Sequence, residues 1–137
     1  MDITLLKKIS QKIGGETDSI DHIILFGSVA EGKEDVMSDV DLAFFLKGDY
    51  TLPDVIFELE DKFRKNLNYK FDIIILNQVG SALKYDIYTK GLALYYKNKD
   101  TFDEAYVRAV NEFLDFQYIF EQYYQKAYDY IVGDLTD

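Results

Sequence analysis

The stretch that most restricts the fold is residues 23–46, IILFGSVAEGKEDVMSDVDLAFFL. One apolar run ends at Gly27-Ser28, a polar segment follows, and a second apolar run opens with Asp39-Val40-Asp41. Short apolar runs bounded by breakers are strands rather than helices. Side chains alternate along a strand, so Val40, Leu42, Phe44 and Leu46 line one face while Ala43 and Phe45 share the other with Asp39 and Asp41. A strand apolar on both faces sits centrally in a sheet and is covered on both sides.

The rest of the chain alternates helix and strand around this pair. Ile3, Leu6, Ile9 and Ile13 recur at helical spacing, and Gly14-Gly15 is read as the stop. The first strand is residues 23–26, and residues 31–38 are a polar loop. Pro53 suits the first turn of a helix whose stripe is Val55, Ile56, Leu59 and Phe63. Residues 70–76, KFDIIIL, form a third strand, expected to be central like the second. Residues 77–90 form a helix with Leu83, Ile87 and Tyr88 inward, stopped by Gly91, and residues 92–96 a fourth strand. Thr101 with Glu104 is a capping-box signature opening a long helix to about Val132, ended by Gly133. The order predicts an α/β fold: a small mixed sheet of three to four strands, flanking helices and a long C-terminal helix. Residues 1–137 read as one domain, with a core over about 1–97 and the last helix over about 101–132.

Composition narrows the function classes. The net charge of −10 argues against direct binding of nucleic acid or anionic membrane. The chain has no cysteine and one histidine, His22, which excludes disulfides, thiolate sites and multi-histidine metal sites. His22 is read as a strand-edge residue with no role. No run approaches membrane-spanning length and none resembles a signal peptide, so the expected location is cytoplasmic.

The chemistry-bearing residues lie at the strand ends. Asp39 and Asp41 point the same way, with roots about 7 Å apart. Asp72 lies in the third strand, where Phe71, Ile73 and Ile75 take the opposite face. If the second and third strands pair, three carboxylates converge. Such a trio destabilises itself unless cations shield it, which argues for Mg²⁺ with its preference for oxygen ligands. Gly27 lets backbone approach a phosphate, and Ser28 with the following N–H groups can bind phosphate oxygens. Lys33 is near enough to add a charge, although it also reads as an ordinary surface lysine. Asp86, Glu58 and Glu60 read as solvated helix faces. Together these parts suit two-metal phosphoryl transfer.

Gly27-Ser28, ten residues, Asp39-Val40-Asp41 and a later strand Asp72 resemble the signature of the DNA polymerase beta-like nucleotidyltransferases. Size and layout resemble the minimal branch, and the tail, ALKYDIYTKGLALYY followed by TFDEAYVRAVNEFLDF, is similar to MntA-type antitoxins of HEPN/MNT toxin–antitoxin pairs. The resemblance covers roughly residues 20–120. It implies an ATP- and Mg²⁺-dependent adenylyltransferase that places AMP on a tyrosine of a HEPN ribonuclease toxin. It also implies that Ser28 holds phosphate, that Asp39 and Asp41 bind both metal ions, and that Asp72 binds the catalytic ion and accepts the tyrosine proton. Glu31 departs from the pattern, since that branch often has a basic residue there. The toxin's own Arg-x4-His-x-Tyr signature is absent, because Arg108 is followed by Phe113. Two alternatives stand beside this reading: nucleotide transfer to a small-molecule hydroxyl such as that of an antibiotic, and an antitoxin that neutralises by binding alone.

The last helix raises a question of size. Phe102, Tyr106, Ala109, Phe113, Phe116, Phe120, Tyr124, Ala127 and Ile131 step by three or four, a stripe that is core or interface. Roughly thirty helical residues span about 45 Å, whereas a compact domain of this length measures about 35–40 Å. The helix must therefore break or overhang, and an aromatic overhang suits a protein partner.

Overall fold

The computed structural model describes residues 1–33 and 39–136, the last three by their backbone only. Most of the expected 31–38 loop thus lies outside the described residues. The elements are α1 (Ile3–Glu16), β1 (Ile20–Phe26), α2 (Gly27–Ala30), β2 (Val40–Leu46), α3 (Asp54–Asn66), β3 (Phe71–Ile75), a 3₁₀ turn (Leu76–Gln78), α4 (Ser81–Lys90), β4 (Leu92–Tyr96) and α5 (Lys99–Thr136). The strands form one mixed sheet in the order β3-β2-β1-β4. β2 and β3 run parallel, while β1 runs antiparallel to both of its neighbours.

Alternation along the strands divides the core in two. Ile23 and Leu25 of β1, Leu42 and Phe44 of β2 and Ile73 of β3 pack under α1 and α3 with Leu6, Ile13, Leu59 and Phe63. The fully buried Phe44 ring meets Phe63 edge-on at 5.7 Å. Ile24 and Ala43 face the other way, against Ile87 and Tyr88 of α4 and Ala109 of α5. The face assignment made for β2 is the one observed. β3, however, lies at the sheet edge rather than centrally. It is only five residues long and leaves Asp72 exposed, so it has one strand partner and a solvated margin.

Several boundaries move for identifiable reasons. α1 runs through Gly14 to Glu16. Gly14 serves close packing rather than a stop, because a Cβ there would meet the Tyr95 ring at 2.3 Å. β1 starts three residues early, at Ile20. Pro53 is the N-cap of α3, one position before its first turn. The expected 77–90 helix divides into the 3₁₀ turn and α4, and Leu83 is exposed rather than inward. α5 is capped by Asn98, whose Oδ1 accepts from the N–H groups of Asp100 at 2.8 Å and Thr101 at 3.1 Å. A side-chain acceptor at that position satisfies the first-turn donors three residues before the expected box. Gly133 lies inside α5 and does not end it, since the positive-φ glycines among the described residues are Gly27, Gly32 and Gly48.

α5 overhangs. Its 38 residues span about 57 Å. Its first half packs on α4: Phe113 stacks on Tyr85 at 4.2 Å, Tyr106 meets Tyr88 at 5.9 Å, and Lys84 pairs with Glu112 at 3.6 Å. Beyond Leu114 most of the described large apolar side chains, including Phe116, Phe120, Tyr124 and Ile131, are more than half exposed. The second half of the aromatic stripe is therefore not core.

Candidate active site

One end of the sheet gathers the expected residues. The parallel register sets Asp41 directly opposite Asp72, and the Val40 N–H donates to the Lys70 carbonyl at 2.8 Å to fix it. On its other side Asp41 pairs with Phe26, the last residue before Gly27. Gly27 has φ +77°, and a Cβ on it would lie 2.1 Å from Asp41 Oδ2. The turn thus needs glycine twice, for its left-handed backbone and for the carboxylate pressed against it. Ser28 follows, half-buried, and its carbonyl accepts from the Lys33 N–H at 2.8 Å, which folds the segment back on itself.

Burial first, then the charges of Asp72 and Asp39, push the Asp41 carboxyl above the usual carboxylate range. Asp39 stands just outside β2 and is half-buried, whereas Asp72 is exposed. Among the described residues no lysine or arginine is ion-paired with any of the three. Among those residues, too, no group of three acidic or histidine side chains forms a ready metal cage. Magnesium does not require one: it commonly takes one or two carboxylates and completes its shell with water and substrate phosphates. Hard, like-charged oxygen donors without a cation beside a glycine turn are a donor set of that kind. Lys33 is well exposed and faces Glu31 at 3.9 Å.

Residues 7–100 match the family model for polymerase beta nucleotidyltransferases. The chain belongs to the polymerase beta nucleotidyltransferase family. Its fold follows that of a chain in a crystal structure of a toxin–antitoxin with AMP-PNP (TM-score 0.64, 20% identity, all of both chains covered). It is similar to a chain of the MntA–HepT toxin–antitoxin (TM-score 0.58, 18% identity, 98% of this chain and 97% of that one). It is also similar to a chain in the complex of tri-AMPylated Shewanella oneidensis HEPN toxin with MNT antitoxin (TM-score 0.57, 18% identity, 98% and 96% covered). At these identities the likeness is one of fold. No curated protein sequence matches the chain. The protein is thus a nucleotidyltransferase whose fold resembles MNT antitoxins, and among its described residues no helix is long and apolar enough to cross a membrane.

The nucleotidyltransferase carries one polar network that sequence reasoning missed. His22 is not at a strand edge; it is fully buried in the interior strand β1. Its Nδ1 lies 2.8 Å from Asp21 Oδ1 and its Nε2 2.6 Å from the Tyr88 hydroxyl. An Nδ1–H donating to the carboxylate leaves Nε2 to accept from the phenol. The ring stacks on Phe45 at 5.0 Å and meets the edge of Phe102 at 4.9 Å. Burial holds the His22 pKa below its usual value, outweighing the Asp21 carboxylate that pulls it up. The buried Asp21 Oδ2 accepts no hydrogen bond and faces Lys47 Nζ at 3.4 Å. A register shift between Ile20 and His22 brings these sequence neighbours together, and nothing in the local pattern signals Tyr88. The network ties α4 to the strand that ends in the Gly27 turn.

Proposed function

We propose that this nucleotidyltransferase is the antitoxin of a HEPN/MNT pair and transfers AMP from ATP to a tyrosine of its HEPN ribonuclease partner. The observation that carries the reading is Asp41, opposite Asp72 in the register and packed against Gly27 in a turn that ends in Ser28. Support also comes from the fold relatives, one of them described with AMP-PNP and one with a tri-AMPylated HEPN toxin.

In this reading Ser28 and the N–H groups of its turn hold the triphosphate, with Lys33 adding an outer charge. Asp39 and Asp41 would hold two Mg²⁺ ions, and Asp72 would share the one on the acceptor side. Bound there, the ions lower the pKa of the acceptor hydroxyl and neutralise charge on the leaving group. A tyrosine hydroxyl, with a pKa near 10, gives its proton to the exposed Asp72 carboxylate. The phenolate oxygen attacks the α-phosphorus in line; a new O–P bond forms, the bond to the bridging α,β oxygen breaks, and pyrophosphate leaves. The exposed aromatic half of α5 is the surface that meets the partner, and it explains why so much apolar area stays in solvent.

The test is incubation with ATP, Mg²⁺ and the HEPN protein encoded beside it, followed by intact mass. The partner gains one or more AMP units, and Asp39→Asn abolishes the gain. If Asp39→Asn neutralises the toxin as well as wild type and no AMP is transferred, the protein acts by occlusion alone and the catalytic reading is wrong.

A further inference from the structure

The second half of α5 turns its apolar side chains outward in an ordered pattern. Two rows at i,i+4 spacing run along it: Phe116, Phe120 and Tyr124, then Ile119, Tyr123, Ala127 and Ile131. The rings of the first row stack at 6.3 and 6.5 Å, which makes that row a preformed ridge. Between the rows lies a groove of about 430 Å³, with Ala127 as the smallest side chain in its lining. A ridge beside a groove on one helix fits the same two features on another, since helices pack by setting ridges into grooves.

The size of the face is that of an interface. Phe116, Ile119, Phe120, Tyr123, Tyr124 and Ile131 expose between 54% and 78% of their surface. At about 120 Å² each, they leave on the order of 700 Å² of largely apolar area in solvent. The largest patch on a typical monomer is about 300–600 Å², while each side of a stable interface buries about 800 Å². Charge does not oppose self-pairing at this place. The chain carries −10, but residues 116–131 hold only Glu121 and Asp129 against Lys126. All three lie off the two rows, and Gln125 donates to Asp129 at 2.9 Å on the polar side.

We propose that two copies of this chain pair antiparallel through these faces, each ridge in the other's groove, and that the pairing covers α5 until another protein takes its place. The orientation follows from α4. It covers the same stripe of α5 as far as Phe113, which stacks on Tyr85, so a parallel pair would drive the two α4 helices together. An antiparallel pair sets the two bodies at opposite ends. A two-fold axis between Tyr123 and Tyr124 then puts Phe120 against Ala127 of the second copy and Phe116 against Ile131 of the second copy. Large side chains meet smaller ones, in the self-complementary contact that a closed dimer requires. Self-pairing does not rest on the adenylyl-transfer reading. Where that reading holds, the second copy and the HEPN partner compete for one face, and the dimer is the resting form of the free chain.

Sedimentation of the whole chain alone, at micromolar concentration, tests this. The wild type should run at twice the 16.0 kDa of one chain. Phe120→Asp, which sets a charge in the ridge, should weaken pairing at least about thirtyfold and run as a monomer. Its helix content should be unchanged, because Phe120 is already exposed. Gln122→Asp, on the polar side of the same turn, should leave the dimer intact. Since the chain has no cysteine, single substitutions report the orientation. Tyr123→Cys should link the pair on mild oxidation and Ile131→Cys should not, because antiparallel pairing separates the two copies of position 131 by about 22 Å along the axis. A wild type that stays monomeric, or a dimer that survives Phe120→Asp, would overturn the proposal, and linking through Ile131→Cys would overturn the orientation. A wild-type monomer that binds the HEPN protein sinks self-pairing and leaves adenylyl transfer standing. A dimer that neither binds nor modifies the HEPN protein does the reverse.

Discussion

The Gly27→Ala substitution probes the site through the backbone. Gly27 has φ +77°, and an added Cβ would sit 2.1 Å from Asp41 Oδ2 and 3.1 Å from its Cγ. A left-handed conformation costs an alanine about 1–2 kcal/mol. Relieving the overlap requires the Asp41 carboxylate to leave its rotamer, a further cost of about 0.5–1.5 kcal/mol. The two together come to about 1.5–3.5 kcal/mol, or a fall in Tm of roughly 5–15 °C for a domain of this size. Because part of the cost passes through one side chain, a double-mutant cycle isolates it. Adding Asp41→Ala removes the overlap and leaves only the backbone term, so about 1 kcal/mol of the Gly27→Ala penalty should disappear in that background. The proposed AMP transfer should fall by about a hundredfold in Gly27→Ala, as expected when a reacting group is displaced by about an ångström. Melting in a calorimeter measures the four proteins of the cycle. A Gly27→Ala protein as stable as wild type, or a penalty of the same size with and without the Asp41 carboxylate, would refute the contact.

Two further predictions follow from other parts of the molecule. Truncation after Phe120 should change Tm by no more than a few degrees while abolishing binding to the proposed HEPN partner, since the removed aromatics include Tyr123, Tyr124, Tyr128 and Tyr130, all more than half exposed; pull-down of that protein by the truncated chain would contradict the proposed interface. His22 should make stability sensitive to mild acid. Its folded pKa lies below the ordinary 6.5, so the unfolded chain takes up the proton first. The stability it contributes is complete above about pH 6.5 and is lost as pH falls towards the lowered folded value, by about 1.4 kcal/mol per pH unit at most. The Tm drop between pH 7.5 and 5.5 should be larger for wild type than for His22→Gln, and identical slopes would refute it.

Much of the fold was legible because the strands carry it in their alternation. The apolar and acidic positions of 39–46 gave the two faces of β2, and Ile73 and Ile75 placed Asp72 on the acidic side of β3. The Gly27-Ser28 turn was legible because a glycine that ends an apolar run marks a chain reversal. What stayed hidden depends on contacts distant in sequence. His22 read as a strand-edge residue with no role, and only Tyr88, 66 residues away, makes its burial intelligible. Leu83 read as inward from helical spacing alone, yet the residues of α4 buried against the sheet are Ile87 and Tyr88, and Leu83 is exposed. The edge position of β3 could not be read either, since its apolar residues are those of a buried strand and only the strand order reveals its open side.

The central claim is that Asp39, Asp41 and Asp72 are forced together and that divalent cations relieve the crowding. The most direct measurement compares the melting of wild type and Asp41→Asn in chelator and with Mg²⁺-AMP-PNP. The raised Asp41 pKa means that its ionised form costs the folded state stability at neutral pH, so Asp41→Asn should melt about 1–4 °C higher than wild type in chelator. Wild type should then gain several degrees on adding Mg²⁺-AMP-PNP, a gain the variant should not share. An Asp41→Asn protein that melts at or below wild type in chelator, or that gains as much from Mg²⁺-AMP-PNP, would contradict the claim.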